Sequence, residues 1–428
     1  MTVTLRHPRS RFARVTAIGA VGFMAASLAA CSSSGAATNE DGQTVLTVYG
    51  WKGSDTEPAN IAQINDAFEA AHPDIDVQYE YVPANDAYNQ RVQPELLAGD
   101  TADVIMTDAS KVQTWGEAGY LEPLTGDWTS TVLPELTPFI SYEDDVYAAP
   151  QEVIGIDLYA NRAVLAEAGV TDVPTTWPEF EDALAKTQAA GFTPLSIPNK
   201  NGWTGASTIN AIAATKVYQD NPDWDEQFLA GDASFSDWKE SVEQFVSLDE
   251  QGFVDFQSSL GVDEWSQGLP NFTAGKTAFW VQGAWNQTSV AAADIDSAFV
   301  PWPAGDEGDE PTVNLFVGTM LSITSTSKVK EAAAEYIEFW ADPTNATPYV
   351  EAENAISPYT GGTTPTTSAT EDFVAAFDEG RYRILPTTTW FALEGEQTMQ
   401  QQTQSLMLGD LNVDAYLSAL DEALRPSN

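Results

Sequence analysis

The chain has 428 residues, a formal net charge of −45, one cysteine and two histidines. Such an excess of acid argues strongly against nucleic acid as a partner, because phosphate backbones need basic faces; a solvated surface accounts for the acidity. A single cysteine excludes an internal disulfide framework. The 13 Trp and 14 Tyr are core filler or, in an acidic secreted protein, the flat walls of a carbohydrate site, since sugar C–H faces stack on rings.

The chain opens on a leader. Arg6, Arg9, Arg11 and Arg14 form a basic n-region without an acid. Residues 15–30 are apolar, too short to span a bilayer comfortably, and match a secretory h-region. Leu28-Ala29-Ala30-Cys31 resembles the bacterial lipobox, a signal in which the cysteine is lipidated and the chain is cut just before it. Residues 1–30 therefore read as a lipoprotein signal peptide, Cys31 as the lipidation site, and residues 31–43 as a flexible tether beginning Ser32-Ser33-Ser34-Gly35. The expected location is the extracellular face of the cytoplasmic membrane. Cys31 could instead be incidental to an ordinary signal peptide, or a catalytic thiol, which would need a histidine partner; His7 lies in the leader. No later segment is apolar enough to span a membrane.

After the leader the length suits two domains. Val45-Leu46-Thr47-Val48-Tyr49 reads as a strand, and residues 57–71 carry Ile61, Ile64 and Phe68 at helical spacing. Ile75, Val77, Tyr79 and Tyr81 alternate as a second strand, followed by a helix over 87–98, a third strand over 102–106 and a helix over 110–119. This order predicts a parallel, helix-covered sheet with ligand beyond the carboxyl ends of its strands. Those ends carry Gly50-Trp51-Lys52-Gly53-Ser54-Asp55 and Thr107-Asp108-Ala109-Ser110. Residues 146–151 read as a further strand ending at Pro150, after which a new unit starts with a strand over 154–159 and a helix over 161–168 closed by Gly169. Thr176, with Glu179 three residues later, marks a helix N-terminus. Residues 313–323 read as one strand, residues 327–340 as an amphipathic helix, and Val413, Tyr416, Leu417, Leu420 and Leu424 as one face of a last helix.

The order of these segments resembles the extracellular solute-binding proteins of ABC sugar importers, the family that includes the maltose-binding protein. Ala102-Asp103-Val104-Ile105 with Leu121-Glu122-Pro123-Leu124 carries the resemblance, as do Tyr147-Ala148-Ala149-Pro150 through Tyr159-Ala160-Asn161 and Pro174-Thr175-Thr176-Trp177-Pro178-Glu179-Phe180. So does Phe272-Thr273-Ala274-Gly275-Lys276-Thr277-Ala278-Phe279 through Gly283-Ala284-Trp285, where Phe279 replaces the usual Met and Trp280 adds an indole, read as core or wall changes. The resemblance implies a two-lobe, periplasmic-binding-protein-like α/β fold, each lobe a mainly parallel helix-covered sheet, joined by a hinge. The expected lobes are 44–150 with about 303–345, and 151–302 with about 346–428, crossing near Pro150, Trp302 and Thr344–Tyr349. It also implies a carbohydrate ligand, most readily an oligosaccharide, a permease and an ATPase as partners, a monomer, and no cofactor or metal.

Trp285 is the first candidate contact: in the family this Gly-x-Trp indole stacks on a sugar ring, with Gly283 letting the backbone turn; otherwise it is a core indole. Trp51, Ser54 and Asp55 follow the first strand, and Asp108 the third; each Asp could instead cap the next helix. Gln151 and Glu152 sit at the expected hinge. Trp203, Phe316 and Trp390 are further aromatic candidates, whereas Trp115, Trp238 and Trp340 fall on helices and read as core. The rival class is a glycoside hydrolase, which needs two carboxylates roughly 5–10 Å apart, one with a raised pKa. No such pairing is visible, nor a Walker A loop, zinc-ligand spacing or Gly-x-Ser-x-Gly. The same composition would also suit a binding protein for a non-sugar solute or a purely structural surface lipoprotein.

Overall fold

A computed structural model describes residues 38–54, 59–84 and 86–425. The leader and Cys31 lie outside the described residues. The strands, in chain order, are β1 (Thr44–Gly50), β2 (Ile75–Tyr81), β3 (Val104–Thr107), β4 (Ser141–Tyr142), β5 (Asp145–Val146), β6 (Ala149–Pro150), β7 (Val153–Asn161), β8 (Thr193–Ser196), β9 (Thr277–Gly283), β10 (Ser297–Val300), β11 (Val313–Val317), β12 (Met320–Ile323) and β13 (Tyr382–Ile384). Two sheets organise them: β2-β1-β3-β12-β6 in the first lobe, and β13-β11-β7-β9-β8 with β10 beside β7 in the second. β4 and β5 form a separate hairpin.

The first sheet opens with the parallel run β2-β1-β3. Its central strand β3 is buried at all four positions, as a strand with helices on both faces must be. The second sheet is mixed. β7 runs antiparallel to β9, β10 and β11, while β8–β9 and β11–β13 are parallel. The reason lies in the hinge: β7 carries the chain out of the first lobe and β11 carries it back, and neighbours crossing in opposite senses must pair antiparallel. The same holds for β6 and β12 in the first sheet.

The chain passes to the second sheet across Gln151-Glu152 and returns across Gly318-Thr319. Two backbone bonds tie these crossings, Gln151 N to Thr319 O at 2.9 Å and Gly318 N to Glu152 O at 3.1 Å. The return point corrects the expectation near Trp302. That indole is fully buried in the second lobe, 5.3 Å from Phe180 centroid to centroid, and the strand read over 313–323 is two strands in different sheets. The expected crossing at Thr344–Tyr349 is also corrected. Those residues lie inside the helix Pro343–Glu353, begun by an Asp342 cap with Pro at its first position, and packed on the first-lobe helix Ile61–Ala71. The third passage follows it, where Ile356 and Val153 exchange backbone bonds of 3.0 and 2.8 Å.

One hydrophobic core surrounds the first sheet and continues onto one face of the second, through Tyr159, Trp280 and Phe299. The other fills the opposite face with Phe180, Phe279, Trp224, Trp238 and Trp302. Phe279 and Trp280, the two departures from the family pattern, are thus both core, pointing to opposite faces of β9 as strand alternation requires. Among the described residues no helix is long and apolar enough to cross a membrane.

Candidate functional site

The loops after β1 and β3 build the first lobe's wall. Trp51 follows β1, half-buried, its ring edge-on to Tyr88 at 4.9 Å and 89°. Ser54 closes the described part of that loop; Asp55 lies outside the described residues. Asp108 follows β3 and caps the helix Ala109–Glu117, one oxygen accepting from Lys111 N at 2.8 Å. Its other oxygen pairs with the Lys111 ammonium, which sits 5.4 Å from the Trp51 ring centroid. Asp108 is thus the helix cap that the sequence offered as its alternative role, and its partner Lys111 stands beside Trp51.

The second lobe supplies an aromatic wall. Trp285, in the turn after β9, lies 6.1 Å from Trp203 and 5.7 Å from Trp265, the latter pair stacked at 27°. Trp203 and Trp265 are themselves 6.2 Å apart, and Phe316 on β11 meets Trp285 edge-on at 6.2 Å. The loop before Trp203 and the turn carrying Trp265 are held together by buried Glu264. Its two oxygens accept from Asn201 N at 2.8 Å and Asn201 Nδ2 at 2.5 Å, and burial raises its pKa. Asp263 caps the same turn through Ser266 N at 2.9 Å and Trp265 N at 3.2 Å, bonds that lower its carboxyl to about 2. Gly283 serves Trp285 differently from the expectation. Its φ of −81° suits any residue, but a Cβ there would sit 2.3 Å from the indole, which folds back over this position.

Charged groups close the site. Lys52, buried beside Trp51, forms an ion pair with buried Glu353 and lies 5.8 Å from the Trp285 ring centroid, so the two walls meet across this lysine. Glu396, on the helix Leu393–Leu408, is half-buried and lies within electrostatic reach of Asp108 and Lys111 of the first lobe. Burial and the like charge of Asp108 raise its carboxyl to about 7, against the opposing pull of Lys111. Its Oε1 accepts from Gln400 Nε2 at 2.8 Å.

The hinge residues are buried. Glu152 Oε1 accepts from Thr319 N at 3.1 Å and from its hydroxyl at 3.0 Å, while Glu152 Oε2 and both amide atoms of Gln151 have no partner among the described residues. Trp390 departs from the expectation. It is 5% exposed and packed edge-on against Trp224, Phe235 and Phe391, with Nε1 donating to Asp225 at 2.7 Å. Its place after a polar loop suggests a wall, but the loop turns inward and delivers it to the core.

The fold thus brings together Trp51, Asp108, Trp203, Trp285 and Phe316, leaves Trp390 apart, and adds Trp265, Lys52, Lys111 and Glu396, which sequence reasoning missed. Lys52 and Lys111 carry a legible signal: with 18 Lys and Arg against 63 Asp and Glu, a lysine at each of two adjacent strand ends is notable. Glu396 gives none, because its neighbours come from the other lobe.

The chain matches the family described as bacterial extracellular solute-binding protein over residues 52–347. It is 26% identical over 72% of its length to the melibiose/raffinose/stachyose-binding protein MelE of Bacillus subtilis, covering 72% of that protein. It is 24% identical over 70% of its length to a mannitol-binding protein of Pseudomonas aeruginosa, covering 68% of it. A solved structure of RafE in complex with raffinose superposes with a TM-score of 0.73 at 18% identity, over 90% of this chain and 99% of that one, which shows the shared fold. Two sheet-bearing lobes, three passages between them and this match over most of the chain lead to one conclusion: the protein belongs to the bacterial extracellular solute-binding protein family.

Proposed function

We propose that this protein captures an oligosaccharide between its lobes and delivers it intact to an ABC permease. The observation that carries this reading is the wall of Trp203, Trp265 and Trp285 facing Trp51, Lys52 and Asp108 from the other lobe. Three neighbouring indoles offer more flat apolar surface than one sugar ring covers, and the flanking ions accept and donate to hydroxyls. The names of the relatives support the class, one for a hexitol and one for tri- and tetrasaccharides among others; the wall favours the longer ligand. Trp51, Ser54, Asp55, Asp108, Gln151, Glu152, Trp203, Phe316 and Trp285 are the proposed contacts, with Trp265, Lys52, Lys111 and Glu396 added. Closure follows from geometry: the lobes are joined by short neighbouring passages that can flex as a hinge, and a ligand touching both walls favours the closed state.

Lipidation of Cys31 would hold the protein at the membrane, raising its effective concentration near the permease. A hydrolase reading draws on one feature, the raised Glu396 near Asp108. Each Asp108 oxygen accepts one hydrogen bond from Lys111, through its backbone N–H and its ammonium, which leaves lone pairs for sugar hydroxyls and makes the recovery of intact sugar the observation that separates binding from hydrolysis. The test is a thermal-shift and calorimetric screen against mono- and oligosaccharides, amino acids and peptides, with product analysis. An oligosaccharide that raises Tm, is recovered intact and loses its effect in Trp285→Ala supports the reading. A shift by a non-sugar solute alone overturns the carbohydrate class, and a cleaved sugar overturns the binding class. Mass analysis of Cys31→Ala, expected to lack acyl groups and leave the membrane fraction, tests the anchor.

A further inference from the structure

The outer part of the aromatic wall rests on two loops that meet in register. Residues 197–202 lead from β8 to the helix Trp203–Lys216, and residues 260–263 lead into the turn Glu264–Gly268. Backbone bonds start the pairing, Asn199 N to Ser259 O at 2.9 Å and Lys200 N to Val262 O at 3.1 Å. Side chains continue it, Lys200 Nζ to Asp263 Oδ2 at 3.1 Å and then Asn201 to both oxygens of Glu264. The next step is aromatic, Trp203 beside Trp265.

The turn itself sends two neighbours opposite ways. It is wider than an α-helical turn, with Gly268 N reaching back to Asp263 O at 2.9 Å. Glu264 is fully buried inside it, whereas Trp265 is exposed. The far end lies flat on the first loop, since a Cβ on Gly268 would stand 3.1 Å from Pro198. Fully covered, Glu264 touches no ligand in the cleft, yet its burial is costly, and both its oxygens accept from Asn201. A rim indole as open as Trp265 would otherwise sample several rotamers, and ordering it on binding costs affinity. Trp285 is supported differently, by the turn after β9 and by Phe316. The Glu264 clasp therefore holds the Trp265 end of the wall and not the Trp285 end.

We propose that Glu264 is a positioning residue: by clasping Asn201 it fixes Trp265 against Trp203 and Trp285 before ligand arrives, and so extends the platform to ligands longer than Trp285 alone can hold. This deepens the carbohydrate reading and rests on it for the class of ligand. Short saccharides seated at Trp285 are indifferent to the clasp, whereas longer ones stack on the Trp265 end and depend on it.

The test compares the full chain with Glu264→Ala, Glu264→Gln, Asn201→Ala and Trp265→Ala. Stacked indoles such as Trp265 and Trp285 couple their transitions and give paired far-ultraviolet dichroism bands of opposite sign. The difference spectrum between parent and Trp265→Ala isolates the bands that belong to Trp265. Without sugar, Glu264→Ala is expected to lose these bands and Glu264→Gln to keep them, because a flipped Asn201 amide meets the glutamine with the same two bonds. Asn201→Ala cuts the clasp from an exposed residue and serves where Glu264→Ala does not fold. Calorimetric titration with malto-, cello- and chito-oligosaccharides, from disaccharide to tetrasaccharide, reads the consequence. Tetrasaccharide binding should weaken about fivefold in Glu264→Ala and disaccharide binding less than about twofold, with no further loss when Trp265→Ala is added. Bands retained in Glu264→Ala, or lost also in Glu264→Gln, overturn the clasp. An equal loss of affinity at every length makes Glu264 a structural residue and also overturns the proposal. If no saccharide binds the parent, the carbohydrate reading fails, while the bands still decide whether Glu264 holds Trp265.

Discussion

The second lobe holds two tryptophan clusters that use the same residue for opposite ends. Trp224, Trp238 and Trp390 pack with Phe228 and Phe235, ring centroids 5.0–6.0 Å apart, and are all at most 5% exposed. Trp203, Trp265 and Trp285 lie 5.7–6.2 Å from one another, yet Trp265 is 43% exposed and Lys52 of the other lobe sits 5.8 Å from the Trp285 ring. An orphan indole N–H does not tell the clusters apart, because Trp238 in the core has one as Trp285 does. Exposure does: a core indole is covered on all sides by its own lobe, whereas Trp203, Trp265 and Trp285 each keep part of the ring open.

The comparison can be broken by truncation. The largest expected effect is Trp224→Ala, which should cost about 3–5 kcal/mol in denaturant unfolding while leaving sugar affinity of the folded fraction unchanged. Trp285→Ala should do the reverse, weakening sugar binding by about 2 kcal/mol, roughly thirtyfold, with less than about 1 kcal/mol lost in unfolding. If both variants lose stability alike, the cleft trio is simply a second core.

Glu396 sharpens the contrast from the charged side. Its carboxyl titrates near 7 in the fold against an ordinary 4.5, so the folded state binds its proton more tightly than the unfolded one. That contribution is complete below pH 4.5 and is lost as pH rises through 7, at no more than about 1.4 kcal/mol per pH unit. Urea midpoints of the parent protein against Glu396→Gln between pH 5 and pH 8, a window of about three units, should differ by this slope, with the variant the flatter. A parent as flat as the variant would show that Glu396 is neither buried nor close to Asp108 in the folded protein. The smallest effect is Trp265→Ala, expected to weaken sugar binding by about 1 kcal/mol without changing Tm, since the exposed ring supports little of the fold.

Much of this is legible in the sequence because it is local. The helix begun by Thr176 is there over Trp177–Ala189 with its capping box, since a cap is decided within four residues. The last helix buries Tyr416, Leu417, Leu420 and Leu424, the face its periodicity marks. Trp115, Trp238 and Trp340 are buried, as helix faces with apolar neighbours require. The misses are long-range. Residues 313–323 carry one unbroken apolar pattern, and nothing within it says that Gly318 must hand the chain to another sheet. The reason is Glu152, whose carboxylate would lie 2.5 Å from a Cβ at that position, 166 residues away in sequence. Trp390 follows a polar loop just as Trp203 does, and only packing sends one to the core and the other to the cleft.

By itself the sequence determined the order of strands and helices, the family motifs and which loops stand at the carboxyl ends of the first sheet, because period, caps and turn residues act over a few positions. Only the tertiary structure decided where the lobes exchange strands, which indoles keep an open face, and that Lys52 stands near Trp285, Lys111 near Trp51 and Glu396 near Asp108. Those outcomes depend on contacts between segments hundreds of residues apart, Lys52 with Glu353 among them, and such a pairing has no signature in either segment until the chain has folded back to bring them together.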